Sequence, residues 1–118
     1  MASKKQPFSW ILSKDALAAI DSLLSETVKP GYLYCVQRVV IEDETTAYTD
    51  VRIAVRDGGR DVLIAEQDNP AVDTLYWYDQ SFYMREGQRL AVLFTGLTAG
   101  DDIKAYVTGW YQEPGGVI

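Results

Sequence analysis

The chain has 118 residues, 47% hydrophobic and 24% charged, with a formal net charge of -6 and no histidine. That is enough for one domain around one core, and far too apolar for a disordered chain. The acidic balance argues against nucleic acid, since Lys and Arg form no run beyond Lys4-Lys5, and every apolar run is far shorter than the ~20 residues that cross a bilayer.

Residues 1–6 are small and polar and read as a flexible arm; they lack the ~7–15-residue apolar stretch of a secretory signal. Residues 13–26 carry Leu17, Ile20, Leu23 and Leu24 at helical spacing, with Lys14, Asp21 and Ser25 on the other side. This pattern predicts a helix with Ser13 as N-cap and Asp15 near its positive end. Pro30-Gly31 closes the segment.

From Tyr32 the punctuation changes to β-branched and aromatic runs parted by turn residues. Strands are expected over residues 32–42, 48–56, 61–66, 73–79, 81–84, 89–95 and 103–111. Asp57-Gly58-Gly59 suits a tight hairpin. Residues 67–72 read as a loop, and Pro114-Gly115-Gly116 ends the last strand. Seven or eight strands with no helix between them exclude a doubly wound parallel sheet. The expected fold is a mainly β, antiparallel, jelly-roll-like sandwich with one N-terminal helix, a single domain over residues 7–113 and a flexible tail over 114–118.

Alternation assigns the faces. Val51, Ile53, Val55, Leu90, Val92, Phe94, Ile103, Ala105 and Val107 point into the core. Leu93, Tyr106 and Trp110 fall on outer faces, although they are too apolar for a surface that meets only water. The predicted helix or arm, a second subunit, or a ligand would cover them. Aromatics also concentrate at Tyr76-Trp77-Tyr78 and Trp110-Tyr111. Successive strand residues alternate between faces, so either Trp77 or the Tyr76/Tyr78 pair belongs to the core.

The absence of histidine removes the usual general base and the Ser-His and Cys-His nucleophile pairs. The Gly58-Gly59 turn lies between strands and lacks the lysine of a phosphate loop. Acidic residues fall mostly in turns, with neither the placement of a glycosidase pair nor the spacing of an EF-hand. Cys35, the single cysteine, packs as a small hydrophobe and forms no internal disulfide. No catalytic residue, metal or cofactor is expected.

The run 86–112, EGQRLAVLFTGLTAGDDIKAYVTGWYQ, resembles the C-terminal hairpin of small β-sandwich structural proteins of tailed bacteriophages and prophages. Glu86-Gly87, Thr95-Gly96, Thr98-Ala99-Gly100-Asp101 and Gly109-Trp110-Tyr111 carry the likeness. It implies a non-enzymatic virion component, a head, decoration or tail subunit, that forms a homo-oligomer through its sheet faces. Leu93, Tyr106, Trp110 and Tyr111 are the interface candidates, other virion proteins are further partners, and the location is the virion or otherwise the cytoplasm. The alternative is a carbohydrate-binding β-sandwich that stacks a glycan on Tyr76, Trp77 and Tyr78.

Overall fold

The computed structural model describes residues 4–68 and 75–114. Nine strands appear among them: β1 (Gln6–Asp15), β2 (Ile20–Leu24), β3 (Leu33–Asp43), β4 (Asp50–Asp57), β5 (Arg60–Asp68), β6 (Tyr76–Tyr78), β7 (Phe82–Arg85), β8 (Gln88–Thr95) and β9 (Asp102–Gln112). Sheet I has the order β1-β9-β3-β6, with β7 also paired to β3; sheet II has the order β2-β8-β4-β5. Every pairing is antiparallel. The chain passes back and forth between the layers, which is the wrapping of a jelly-roll-like sandwich.

The two inner sides meet in a Val/Ile-rich core. Val36, Val39 and Ile41 of β3 and Ile103, Ala105 and Val107 of β9 face Val51, Ile53 and Val55 of β4 and Leu90, Val92 and Phe94 of β8. All nine core residues expected from alternation are buried. Each large apolar side chain contributes about 1.5–3 kcal/mol by leaving water. The Gly58-Gly59 hairpin also forms as expected, joining paired Asp57 and Arg60 with Gly58 at a φ of 62°.

The predicted N-terminal helix does not form, and no helix occurs among the described residues. Residues 13–26 instead make the end of β1, a corner, and β2. Ser13, expected as an N-cap, pairs with Lys104, and Asp15 pairs with Asp102. The helical spacing of Leu17, Ile20, Leu23 and Leu24 arises by coincidence across the corner: Leu17 and Ile20 are exposed, whereas Leu23 is buried opposite Val92. Asp21 fixes the corner by accepting the Leu17 N–H (2.8 Å) and the Lys14 ammonium (2.8 Å). Long-range pairing with β8 and β9 overrides local helical preference.

Residues 1–3 of the expected arm, 69–72 of the expected loop, 73–74 of the strand expected over 73–79, and 115–118 of the expected tail lie outside the described residues. Among those described, no helix is long and apolar enough to cross a membrane.

Candidate functional site

Register places two apolar rows across the outer face of sheet I, parted by the exposed polar row Ser9–Thr108–Arg38. One runs Ile11–Tyr106–Val40–Trp77 from β1 through β9 and β3 to β6. The other runs Pro7–Trp110–Cys35–Tyr83 from β1 through β9 and β3 to β7. Ile11, Trp77 and Tyr83 are 68%, 54% and 56% exposed. Val40 and Cys35 are buried although they stand outside the central core. Their neighbours in the rows roof them over.

A bulge in β3 makes this geometry. Pairing with β9 slips between Val36 and Arg38, so one extra residue is taken up there. The inward phase therefore moves from Val36 to Val39, while Gln37 and Arg38 both lie exposed. Gly109 answers the bulge across the ladder: a Cβ there would collide with the Cys35 carbonyl and approach the Phe8 ring.

The rings are held by one another and by cations. Tyr83 meets Trp110 edge-on at 6.1 Å between centroids, the Lys5 ammonium lies 4.4 Å from the Trp110 ring, and the Arg38 guanidinium lies 5.2 Å from the Trp77 ring. Cations over aromatic faces favour both by electrostatic attraction. The Tyr106 hydroxyl donates to Glu42 Oε1 at 2.8 Å. That bond, together with burial, pushes the phenol above its ordinary pKa. At the lower border Lys104 bonds Glu44 at 3.1 Å and approaches Asp102 at 3.5 Å.

The four interface candidates from the sequence do not form one patch. Tyr106 and Trp110 share the outer face of sheet I, one in each row. Leu93 lies on the outer side of sheet II, opposite Ser22 and Arg52. Tyr111 points to the other side of β9, where its ring stacks on Tyr34 (5.3 Å) and its hydroxyl bonds Gln6. Of the three glycan candidates, Tyr76 and Tyr78 pack against the core and Trp77 alone is turned out. Ile11, Arg38 and Tyr83 belong to the face and were missed. The alternation of Phe82-Tyr83-Met84 could have found Tyr83, whereas the other two depend on strand order and on the bulge.

The carboxylates offer little for catalysis. Asp50, Glu66 and Asp68 gather on sheet II with oxygens within 4.8 Å of one another, but Arg52 binds Glu66 at 2.9 Å and Asp50 at 3.4 Å. Asp43 and Asp101 turn inward together and are fully buried. A groove of about 460 Å³ opens beside β1, lined by Trp10, Tyr32 and Tyr34 among others. It lies at the β1 margin of the sandwich and reaches Ile11, the end of one of the two rows.

No protein-family model matches the chain, and no curated protein does. Among solved structures, the chain is similar to one described as "Bacillus endospore appendages form a novel family of disulfide-linked pili", with a TM-score of 0.58, 13% identity, and coverage of 96% of this chain and 91% of that one. It is more distantly similar to infectious bursal disease virus Gx strain (TM-score 0.47, 9% identity, 93% of this chain and 32% of that one). The same holds for a carbohydrate binding module of family 29 (TM-score 0.38, 12% identity, 91% and 88%). At such identities the pilus structure supports the β-sandwich fold alone, and the other two are too distant in shape to bear on it.

Proposed function

We propose that this chain is a non-catalytic structural subunit that self-associates through the outer face of sheet I, as a building block of a virion or of a surface appendage. The observation that carries this reading is the pair of rows Ile11–Tyr106–Val40–Trp77 and Pro7–Trp110–Cys35–Tyr83. Half-exposed rings beside small apolar neighbours, with Arg38 between the rows and Lys5 and Lys104 at the border, have the make-up of an interface patch with a polar rim. Four strands at ~4.8 Å spacing and a ~10-residue length give the face roughly 600 Å². That approaches the ~800 Å² per partner of a specific protein–protein contact.

The similarity to a pilus subunit is compatible with such a role but lends it only the fold. Disulfide linkage is named in that protein's description; here Cys35 is buried under the rings, so the association proposed is non-covalent. The same rings are the reason a glycan remains the competing ligand class, because Trp77 with Arg38 beside it presents a flat stacking surface.

Native mass spectrometry and light scattering across micromolar concentrations test the proposal. The expected result is a concentration-dependent oligomer that Trp77→Asp dissociates. A strict monomer whose tryptophan fluorescence responds to an oligosaccharide on a glycan panel would replace this reading with the carbohydrate one.

A further inference from the structure

Asp43 ends β3 and Asp101 precedes β9, and their side chains, 0% and 1% exposed, both bond Thr46 at one end of the sandwich. Asp43 Oδ1 accepts the N–H groups of Thr45 (2.8 Å) and Thr46 (3.2 Å). Asp101 Oδ2 accepts the Thr46 hydroxyl (2.6 Å) and the Thr98 N–H (2.9 Å). Asp43 Oδ2 has no donor among the described residues, and the Asp101 carboxyl is the group it interacts with on the other side of Thr46.

Among the described residues, no cation reaches the pair from the elements packed around it. From the β1–β2 corner, Lys14 is bound to Asp21 and Asp15 is exposed. From β9, Lys104 is occupied outside by Glu44 and Asp102. Glu42, on the opposite side of β3, takes the Tyr106 hydroxyl. The β3–β4 loop adds Glu44, held outside by Lys104, and Tyr48, whose buried hydroxyl is also without a partner among the described residues. Two ionised carboxylates buried on either side of Thr46 would repel strongly, and the ordinary resolution is that one of them keeps its proton.

We propose that Asp43 and Asp101 hold one proton between them, making a latch that fastens the β3–β4 loop to the β8–β9 turn and loosens when rising pH removes that proton. The latch lies where the corner and both loops join, since Asp101 O accepts the Ala16 N–H (2.7 Å), Asp102 O accepts the Glu44 N–H (3.1 Å) and Thr45 Oγ1 accepts the Asp102 N–H (3.1 Å). The electrostatics agree in direction. Burial pushes the Asp43 carboxyl above the ordinary aspartate value, and Asp101 adds to this against the N–H bonds of Thr45 and Thr46. Burial also acts to raise Asp101, but the Thr46 hydroxyl, the Thr98 N–H and Asp43 outweigh it and hold Asp101 below that value. The Asp43 contribution is therefore complete at low pH and is lost as pH climbs through its raised folded value. The Asp101 contribution is lost only as pH falls through its lowered one. The latch is tightest between the two.

Asp43→Asn tests this, because its amide N–H can replace the shared proton while its oxygen still accepts from Thr45 and Thr46. Thermal unfolding of wild type and variant from about pH 4 to about pH 8 should give a gap in Tm that widens with pH, the variant ending higher by about 3 °C or more. Carbon NMR of the aspartate carboxyls in the wild type should show one that titrates at higher pH than the exposed aspartates. A gap that stays constant with pH, or carboxyls that all titrate in the ordinary range, would overturn the proposal. The NMR arm decides alone if the variant fails to fold. Calcium at millimolar level that stabilises the wild type at the alkaline end, and not the variant, would mean that a cation occupies the pair and would also overturn it.

Discussion

Both layers of the sandwich bury a Val/Ile-rich inner side, yet their outer sides are finished in different ways. Sheet II carries bonded charge across its strands, with Arg56 gripping Asp61 (2.7 and 3.1 Å) and Arg52 bonded to Glu66. Its outer apolar residues are aliphatic and carry no rings: the row Leu24–Ala91–Ala54–Leu63, Leu93 between Ser22 and Arg52, and exposed Ile20 at the start of β2. Sheet I carries two ring-bearing rows with cations laid over the rings. A surface whose charges satisfy one another gains little from being covered, whereas half-exposed tryptophan and tyrosine gain from every contact that expels water. The contrast between two sides of one fold is what favours sheet I over sheet II in the proposed self-association.

The sharpest way to break this contrast is a charge in the middle of the ring-bearing face. Trp77→Asp is expected to weaken self-association by about 100-fold in Kd, the scale of an interface hot spot, as read by analytical ultracentrifugation. It should leave the monomer folded, because Trp77 is half-exposed. Tyr106→Phe separates shape from bonding on the same face. It keeps the ring but removes the donor to Glu42, a buried carboxylate, and is expected to cost about 1–2 kcal/mol of stability in urea unfolding while changing association by less than about threefold.

On sheet II, Arg56→Gln should cost only about 0.5 kcal/mol, and less in high salt. The Arg56 guanidinium holds the Asp61 carboxyl below the ordinary aspartate range. The contribution of this pair is therefore present above the unfolded pKa and fades as acid titrates Asp61 through its lowered folded value, whereas the ring contacts of sheet I should not respond. Smallest of all, Leu63→Asp should leave association unchanged within about threefold. A loss matching that of Trp77→Asp would assign the interface to sheet II.

Much of the sandwich was legible because side chains alternate with a period of two wherever one side of a strand is buried. Val51, Ile53 and Val55 announce their direction without help from any neighbour. The corner around Ala16–Ala19 was not legible, since alanine and leucine at helical spacing satisfy the local rule and only distant partners on β8 and β9 turn the segment into strands. The candidate face was half legible. Tyr106 and Trp110 follow from alternation along β9, but their alignment with Ile11, Trp77 and Tyr83 is a property of strand order, which no local pattern encodes. Arg38 needed more still, because the bulge between Val36 and Arg38 shifts the phase of β3 just before the run Val39-Val40-Ile41.

The order β1-β9-β3 gives the ring-bearing face a place in time. β9 lies between two strands made much earlier, so Ile11 and Val40 cannot become neighbours across Tyr106 until residue 112 has emerged from synthesis. Before that moment sheet I lacks its middle, and pairings of such long sequence separation are slow to close. The adhesive rows thus come into being together with the completed core, and a nascent chain holding its rings apart has no such surface to offer another copy.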